Sequence, residues 1–268
     1  MIDIAAYCAR IGYGGARTAS LDTLRAIHAL HPSHIPFENL NPLLRLPVGL
    51  DIDALQAKLI GQKRGGYCFE QNSLLKAALE AIGFNVIGLS GRVHWMRPAG
   101  SPRNPRTHMM LKVALPDGEF IADVGFGGLL LDAPLCLTPG LEQTTQWGTY
   151  RFAPFGAALR LQAKIVDAWQ DVYEFTLEQE FAADYAVANW YTSTNPSSIF
   201  SNNLLMDRLT TEARISLHNR RLKRRMRDGQ VSEAILPNSS ALERALADDF
   251  GVQSPVDAAT LFSRLPPE

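Results

Sequence analysis

The apolar residues of this 268-residue chain change their spacing at Gly83, which excludes any fold built from one kind of secondary structure. Before that point the spacing is helical. Leu21, Leu24, Ile27 and Leu30 in LDTLRAIHALH share a face behind candidate caps Thr18 and Ser20, and Ile52, Leu55, Leu59 and Ile60 in DIDALQAKLIGQ form a second stripe. The segment after Cys68 carries Leu74, Leu75, Ala78, Leu79 and Ile82 in register and stops at Gly83, a residue suited to the left-handed C-terminal position. Beyond Gly83 come short runs rich in β-branched and aromatic residues, NVIGLSGRVHW, THMMLKVAL, EFIADV, ALRLQAKIVDAW and VYEFTLEQE, punctuated by Gly, Pro, Asn and Asp. Pro116-Asp117-Gly118 marks a hairpin between two of them. EFAADYAVANWYTS returns to a helical pattern and ends before Asn195-Pro196. RISLHNRRLKRRM and QVSEAIL then alternate, and SSALERALADDFG closes as a helix on Gly251. The prediction is an α+β chain. It has a helical bundle over 1–85, an antiparallel barrel or curled sheet with a connecting helix over 86–200, and an α/β lobe over 201–268, with no repeat and no separating linker.

Composition narrows the function more by exclusion than by selection. A formal net charge of -1 gives no general attraction to polyanions, so nucleic acid is not an expected partner. The basic run RRLKRRMR (Arg220 to Arg227) is a local feature without interleaved aromatics. It is either a solvated strand face or a local patch for a phosphate-bearing ligand. MIDIAAYCARIGYGG lacks the basic and apolar regions of a leader, and no apolar run approaches the length of a membrane span. The three cysteines Cys8, Cys68 and Cys136 are odd in number and have no CxxC spacing, so neither a disulfide framework nor a metal site is expected. Free thiols in a reducing cytoplasm are the expectation.

A buried cysteine is ordinarily inert core, and Cys8 and Cys136 are read so. At Cys68 two readings stand, core or nucleophile. The stretch KRGGYCFEQN places this thiol where two glycines run into a helix. The unpaired N–H groups and positive dipole end of a helix favour a thiolate there, and the same N–H groups suit an oxyanion. Gly65 and Gly66 lack Cβ atoms, which permits unusual backbone angles and close approach of a substrate.

A cysteine nucleophile in acyl transfer works with a histidine and a group that orients the ring. Of six histidines, His28 and His31 fall in a periodic helix, His218 in the charged tail and His34 in a Pro-rich loop. His94 and His108 lie on expected strands, which hold a ring rigidly. Asp123 in IADVGFGG is an acid among apolar residues and glycine, so it requires a partner. With Asp117-Gly118 as a two-residue turn, Asp123 pairs opposite Lys112 rather than His108. Contact with His108 then needs a longer loop, a bulge or twist.

RGGYCFEQN around Cys68, THMML around His108 and DVGFGG around Asp123 resemble, in order and spacing, the three active-site motifs of the arylamine N-acetyltransferases. ARIGY, IPFENL (Ile35 to Leu40) and SSIFSNNLL (Ser197 to Leu205) are similar to further segments of that family. The resemblance implies a Cys68, His108, Asp123 triad, acetyl-CoA as donor, no metal, and an aromatic amine or hydrazine as acceptor, with ping-pong kinetics through an acetyl-cysteine. It implies a helical bundle, β-barrel and α/β lid, related to papain-like and transglutaminase-like cysteine enzymes, and a role in xenobiotic metabolism. Phe37, Phe126 and Phe200 fall in segments that line the acceptor pocket in the family, and each is equally readable as core. Thr107 and Gly127 are the expected coenzyme A contacts. Two other activities share the scaffold, amide synthesis closing a macrocycle and hydrolysis of the acyl-cysteine.

Overall fold

The computed structural model, which describes residues 1–98 and 100–266, begins with packed helices. Helix α1 (Ile4–Ile11) is capped by Asp3, whose carboxylate accepts the Ala6 N–H, and ends at Gly12 with φ 72°. It buries Tyr7, Cys8 and Ile11. Helix α2 (Leu21–His34) starts at Ser20, whose side chain accepts the Thr23 N–H, and runs three residues past the periodic segment, with Pro32 in its last turn. A short strand β1 (Phe37–Glu38), one-turn helix α3 (Leu40–Leu43) and helix α4 (Ile52–Leu55), which widens into π-type turns up to Gly61, lead to α5 (Cys68–Ile82). Gly83 closes α5 at φ 104°, the left-handed cap expected of it.

The middle of the chain forms β2 (Asn85–Val93), β3 (His108–Leu115), β4 (Gly118–Ala122), β5 (Leu135–Cys136), β6 (Gln143–Thr144), β7 (Thr149–Phe155), β8 (Ala158–Ile165) and β9 (Ala168–Phe175). Among the described residues these make one antiparallel sheet in the order β5-β4-β3-β2-β9-β8-β7-β6. It curls around Leu89, Met110, Ile121, Tyr150, Phe152, Leu161, Val172 and Tyr173. The α5 helix packs on the other side of β2 and β3, where Leu75, Ala78 and Leu79 meet Val86, Leu111 and Val113.

Helices α6 (Ala182–Thr194) and α7 (Ile199–Asn202) connect to a second sheet of β10 (Leu205–Leu209), β11 (Ala213–His218), β12 (Arg221–Met226) and β13 (Val231–Ile235). Helix α8 (Ser239–Arg244), which continues through Phe250, and α9 (Ala258–Ser263) cover one face of it. The edge of this C-terminal sheet is β1, with Phe37 opposite Asp207 and Glu38 opposite Met206. An N-terminal strand thus completes the C-terminal lobe. The same residue Phe37 also bridges Gly66, two positions before Cys68. One dipeptide therefore ties the lid sheet to the start of α5.

No described helix is long and apolar enough to cross a membrane.

Candidate active site

Cys68 is the first residue of α5 and is 3% exposed. The Glu70 carboxylate reaches back to accept the Tyr67 N–H at 3.2 Å, which fixes how the chain enters the helix. The two preceding glycines serve a different purpose from the one expected of them. Both keep φ out of the positive range, but a Cβ on Gly65 would lie 2.0 Å from the Pro36 carbonyl, and one on Gly66 would lie 2.8 Å from Glu70. Their role is close packing of chain against chain, with Glu38 N–H donating to the Gly66 carbonyl at 3.0 Å.

His108 opens β3 and is 3% exposed. Its Nε2 donates to Asp123 Oδ2 at 2.7 Å, which leaves Nδ1 as the other ring nitrogen, and Cys68 is near enough to favour the charged ring. Burial works against a charged imidazole here. The Asp123 carboxylate, the hydrogen bond to it and Cys68 outweigh burial and hold His108 at about 10. Asp123 is held below its ordinary value: burial opposes its charge, but His108, Asn72 and the Gly125 N–H more than compensate.

The expected strand register is corrected. Leu115 pairs with Gly118 and Lys112 with Ile121, so the tight turn is Pro116-Asp117, and Gly118 with φ 129° is already in the strand. The shift moves the position opposite Lys112 from Asp123 to Ile121. The ladder also ends at Ala122. Past it the chain turns, the Asp123 Oδ1 accepts the Gly125 N–H at 3.0 Å, and the carboxylate swings back to His108. A Cβ on Gly125 would lie 2.6 Å from the Cys68 Cα, so this turn sits directly on the start of α5.

Asn72, one turn along α5, was not singled out by the sequence. Its Nδ2 donates to Asp123 Oδ1 at 3.0 Å and to the Met109 carbonyl at 2.8 Å, and its Oδ1 accepts the Val124 N–H at 3.1 Å. One amide thus joins the helix of Cys68 to the strand of His108 and the turn of Asp123. Gln71 beside it donates to the Ile35 and Pro36 carbonyls at 3.2 and 2.7 Å, and its Oε1 accepts from His31 Nε2 at 2.7 Å. That assignment leaves His31 Nδ1 to accept the Tyr7 hydroxyl at 2.8 Å. The usable signal was a run of three polar residues, Glu70 to Asn72, in the first turn of a helix packed on apolar neighbours; all three are buried.

The phenylalanines form two groups. Phe126 stands edge-on to His108 with ring centres 5.0 Å apart and touches Tyr173, whose ring lies 4.9 Å from His108. Phe37 and Phe200 meet at 6.2 Å, and Phe200 stands edge-on to Tyr67 at 5.6 Å. Phe37 packs on Gly127, where a Cβ would lie 2.5 Å from its ring. The Gly128 N–H donates to Asp207 Oδ2 at 2.7 Å, joining the glycine turn to the lid sheet. The Thr107 carbonyl lies 3.7 Å from Cys68 Sγ. Of the other histidines, His94 bonds Glu174 at 3.0 Å, His34 bonds Ser33 and the Leu30 carbonyl, and His218 is exposed. Cys8 lies in the helical core, and Cys136 lies on the edge strand β5, beside Thr138.

A buried thiol near an imidazole that is bonded to a carboxylate can carry acyl groups. Comparison with known proteins agrees with that chemistry. A family model described as N-acetyltransferase matches residues 20–259. An arylamine N-acetyltransferase of Mycolicibacterium smegmatis is 41% identical over 254 residues, covering 94% of this chain and 92% of the relative. One from Escherichia coli strain K12 is 40% identical over 247 residues, covering 92% of this chain and 87% of the relative. The solved structure of a Mycobacterium marinum arylamine N-acetyltransferase in complex with CoA has a TM-score of 0.94 and 37% identity, covering 98% of each chain. Identity at this level over most of both chains, on a fold with helical, barrel-like and lid parts in the same order, establishes that the chain belongs to the arylamine N-acetyltransferase family of acyltransferases.

Proposed function

We propose that the chain moves an acetyl group from acetyl-CoA to the amino nitrogen of an arylamine or arylhydrazine, in two steps, through an acetylated Cys68. The observation that carries this reading is the buried Asp123 carboxylate 2.7 Å from His108 Nε2, with Cys68 Sγ 3.7 Å from the carbonyl of the adjacent Thr107. A carboxylate there keeps a proton on Nε2 and stabilises the imidazolium, so His108 faces the sulfur as a cation and the sulfur reacts as a thiolate. In the first step Sγ forms a bond to the thioester carbon, the bond from that carbon to the CoA sulfur breaks, and His108 gives its proton to the departing thiolate. Acetylation removes the sulfur's own pull on the His108 proton, which makes the neutral ring more available as a base. In the second step the amine nitrogen forms the amide bond, the carbon to Sγ bond breaks, and the amine proton passes to His108. An aryl amine or hydrazine suits this step because it is largely neutral at cellular pH.

Several residues support substrate binding in this reading. Phe126 beside His108 and the Phe37–Phe200 pair beside the start of α5 are the acceptor walls. In this reading Thr107 and Gly127 contact the donor, and the basic run Arg220 to Arg227, in which Arg224 pairs with Asp249 and Arg221 and Lys223 with Glu233, offers its remaining charge to the phosphates. The CoA complex of the M. marinum relative supports this donor. Burial of Cys68, His108 and Asp123 to between 0% and 3% exposure favours transfer to an amine over hydrolysis, because bulk water is kept from the acyl sulfur.

Initial rates measured at several fixed arylamine concentrations while acetyl-CoA is varied are expected to give parallel double-reciprocal lines. Lines that intersect would replace the two-step route with direct transfer in a ternary complex.

A further inference from the structure

Helix α2 carries a buried histidine that the two-step mechanism does not use. His28 is 0% exposed, and its Nε2 accepts the backbone N–H of Asp123 at 3.1 Å across 95 residues of sequence. Accepting at Nε2 requires a neutral ring with its proton on Nδ1, and Nδ1 has no hydrogen-bond partner among the described residues. A buried donor left unpaired is a cost the fold would avoid by placing an aliphatic residue here. Among the described residues, the one hydrogen bond of the His28 ring is to the residue whose carboxylate sets the orientation of His108.

Asp123 needs that bond because it lies beyond the last pair of β4, at Ala122. Its N–H has no ladder partner among the described residues, and its side chain is held by Asn72, Gly125 and His108. His28 holds the backbone of the same residue, by accepting its N–H. Burial keeps the ring neutral by pulling it down to about 4, against the opposing charges of Asp123 and Asp132, with neutral His31 one turn away.

We propose that His28 is a positioning residue for acetyl transfer: by accepting the Asp123 N–H it locks the turn after β4 so that the carboxylate meets His108 Nε2. The inference rests on the proposed roles of Cys68, His108 and Asp123. Loss of the acceptor frees the turn, and misplacement by a fraction of an ångström lowers the rate of Cys68 acetylation about ten- to a hundredfold. Glutamine carries an oxygen near the Nε2 position of histidine, whereas the shorter asparagine and the apolar leucine do not reach the Asp123 N–H.

The test measures single-turnover acetylation of the full-length protein by acetyl-CoA, beside the rate at which iodoacetamide alkylates Cys68 at pH 6 and at pH 9.5. His28→Leu is expected to keep a cooperative melting transition, to acetylate about ten- to a hundredfold more slowly, and to lose alkylation rate at pH 6 far more than at pH 9.5. His28→Gln recovers most of both rates. If the leucine variant does not fold, His28→Asn takes its place against glutamine with the same expectation. A folded leucine or asparagine variant with wild-type rates, or a glutamine variant as slow as they are, overturns the role of His28 alone. Absence of any acetylated Cys68 in the wild-type protein removes the two-step reading, and this inference with it.

Discussion

Asp123→Asn is expected to leave the protein folded and to slow acetylation of Cys68 by about a thousand- to ten-thousandfold. The direction follows from which oxygen is already committed. Oδ1 accepts from both Asn72 Nδ2 and the Gly125 N–H, so an amide placed here keeps its oxygen on that side and turns its NH₂ toward His108. His108 Nε2 must then accept, its proton moves to Nδ1, and the ring presents a donor to Cys68 where the reaction needs an acceptor. The volume and the bonds to α5 are unchanged, so the melting temperature should move little. A second readout follows from the electrostatics. Without the carboxylate, burial acts on His108 against the smaller contribution of Cys68 alone and pulls it well down from about 10. Iodoacetamide should therefore alkylate Cys68 much more slowly than in the wild type at pH 6.5, and the difference should close near pH 10, where a thiolate no longer depends on the imidazolium. Wild-type rates at pH 6.5 would return Asp123 to a structural role.

The second large effect is on stability, behind the nucleophile. Arg64 is 5% exposed and donates from Nε and Nη2 to Glu38 Oε1 at 2.9 and 2.7 Å, and from Nη2 to Asn41 at 3.1 Å. Glu38 is 0% exposed, and its Oε2 accepts the Leu40 N–H at 2.7 Å. Lys58 lies 2.7 Å from Glu70 but 3.9 Å from Glu38, so it cannot replace the guanidinium. Arg64→Met leaves a buried carboxylate without its main partner and should cost about 3–5 kcal/mol, which lowers the melting temperature on the order of 10 °C. Arg64→Lys should recover little, because an ammonium cannot match both donor positions. Arg64→Met combined with Glu38→Leu should recover much of the loss, since the penalty lies in the stranded charge. A single Arg64→Met variant that melts within 2 °C of the wild type, a range of about 1 kcal/mol, contradicts this account.

Much of the fold was legible because local signals and tertiary structure agree. Ser20 and Gly83 cap the helices where pattern reading placed them, and Asn195 ends α6 before Pro196. Other elements were missed despite a local signal. Helix α1 has Asp3 as its cap and Ile4, Tyr7, Cys8 and Ile11 on one face, yet it is absent from the helices expected of the sequence. Strand β7 lies in YRFAPF, where Pro154 weakens the strand pattern. The pairing of β1 with β10 had no local signature, because it joins Phe37 and Asp207 across the chain.

The site divides in the same way. Cys68 at a glycine-to-helix junction, His108 on a strand and an acid in an apolar run could be selected by chemistry. Their supports were hidden. Asn72 reaches Asp123 across 51 residues and His28 reaches it across 95, and a helix pattern gives a polar residue no sign of a distant partner. The register depended on whether Pro116-Asp117 or Asp117-Gly118 forms the turn, a two-residue difference that composition alone does not resolve.

The central claim is that Cys68 carries the acetyl group between donor and acceptor. Intact-protein mass spectrometry after incubation with acetyl-CoA and no amine tests it most directly, followed by peptide mapping and then addition of an arylamine. The account predicts one added acetyl group, located on Cys68 and discharged by the amine. An unmodified protein, or an acetyl group on Cys8 or Cys136, would contradict it.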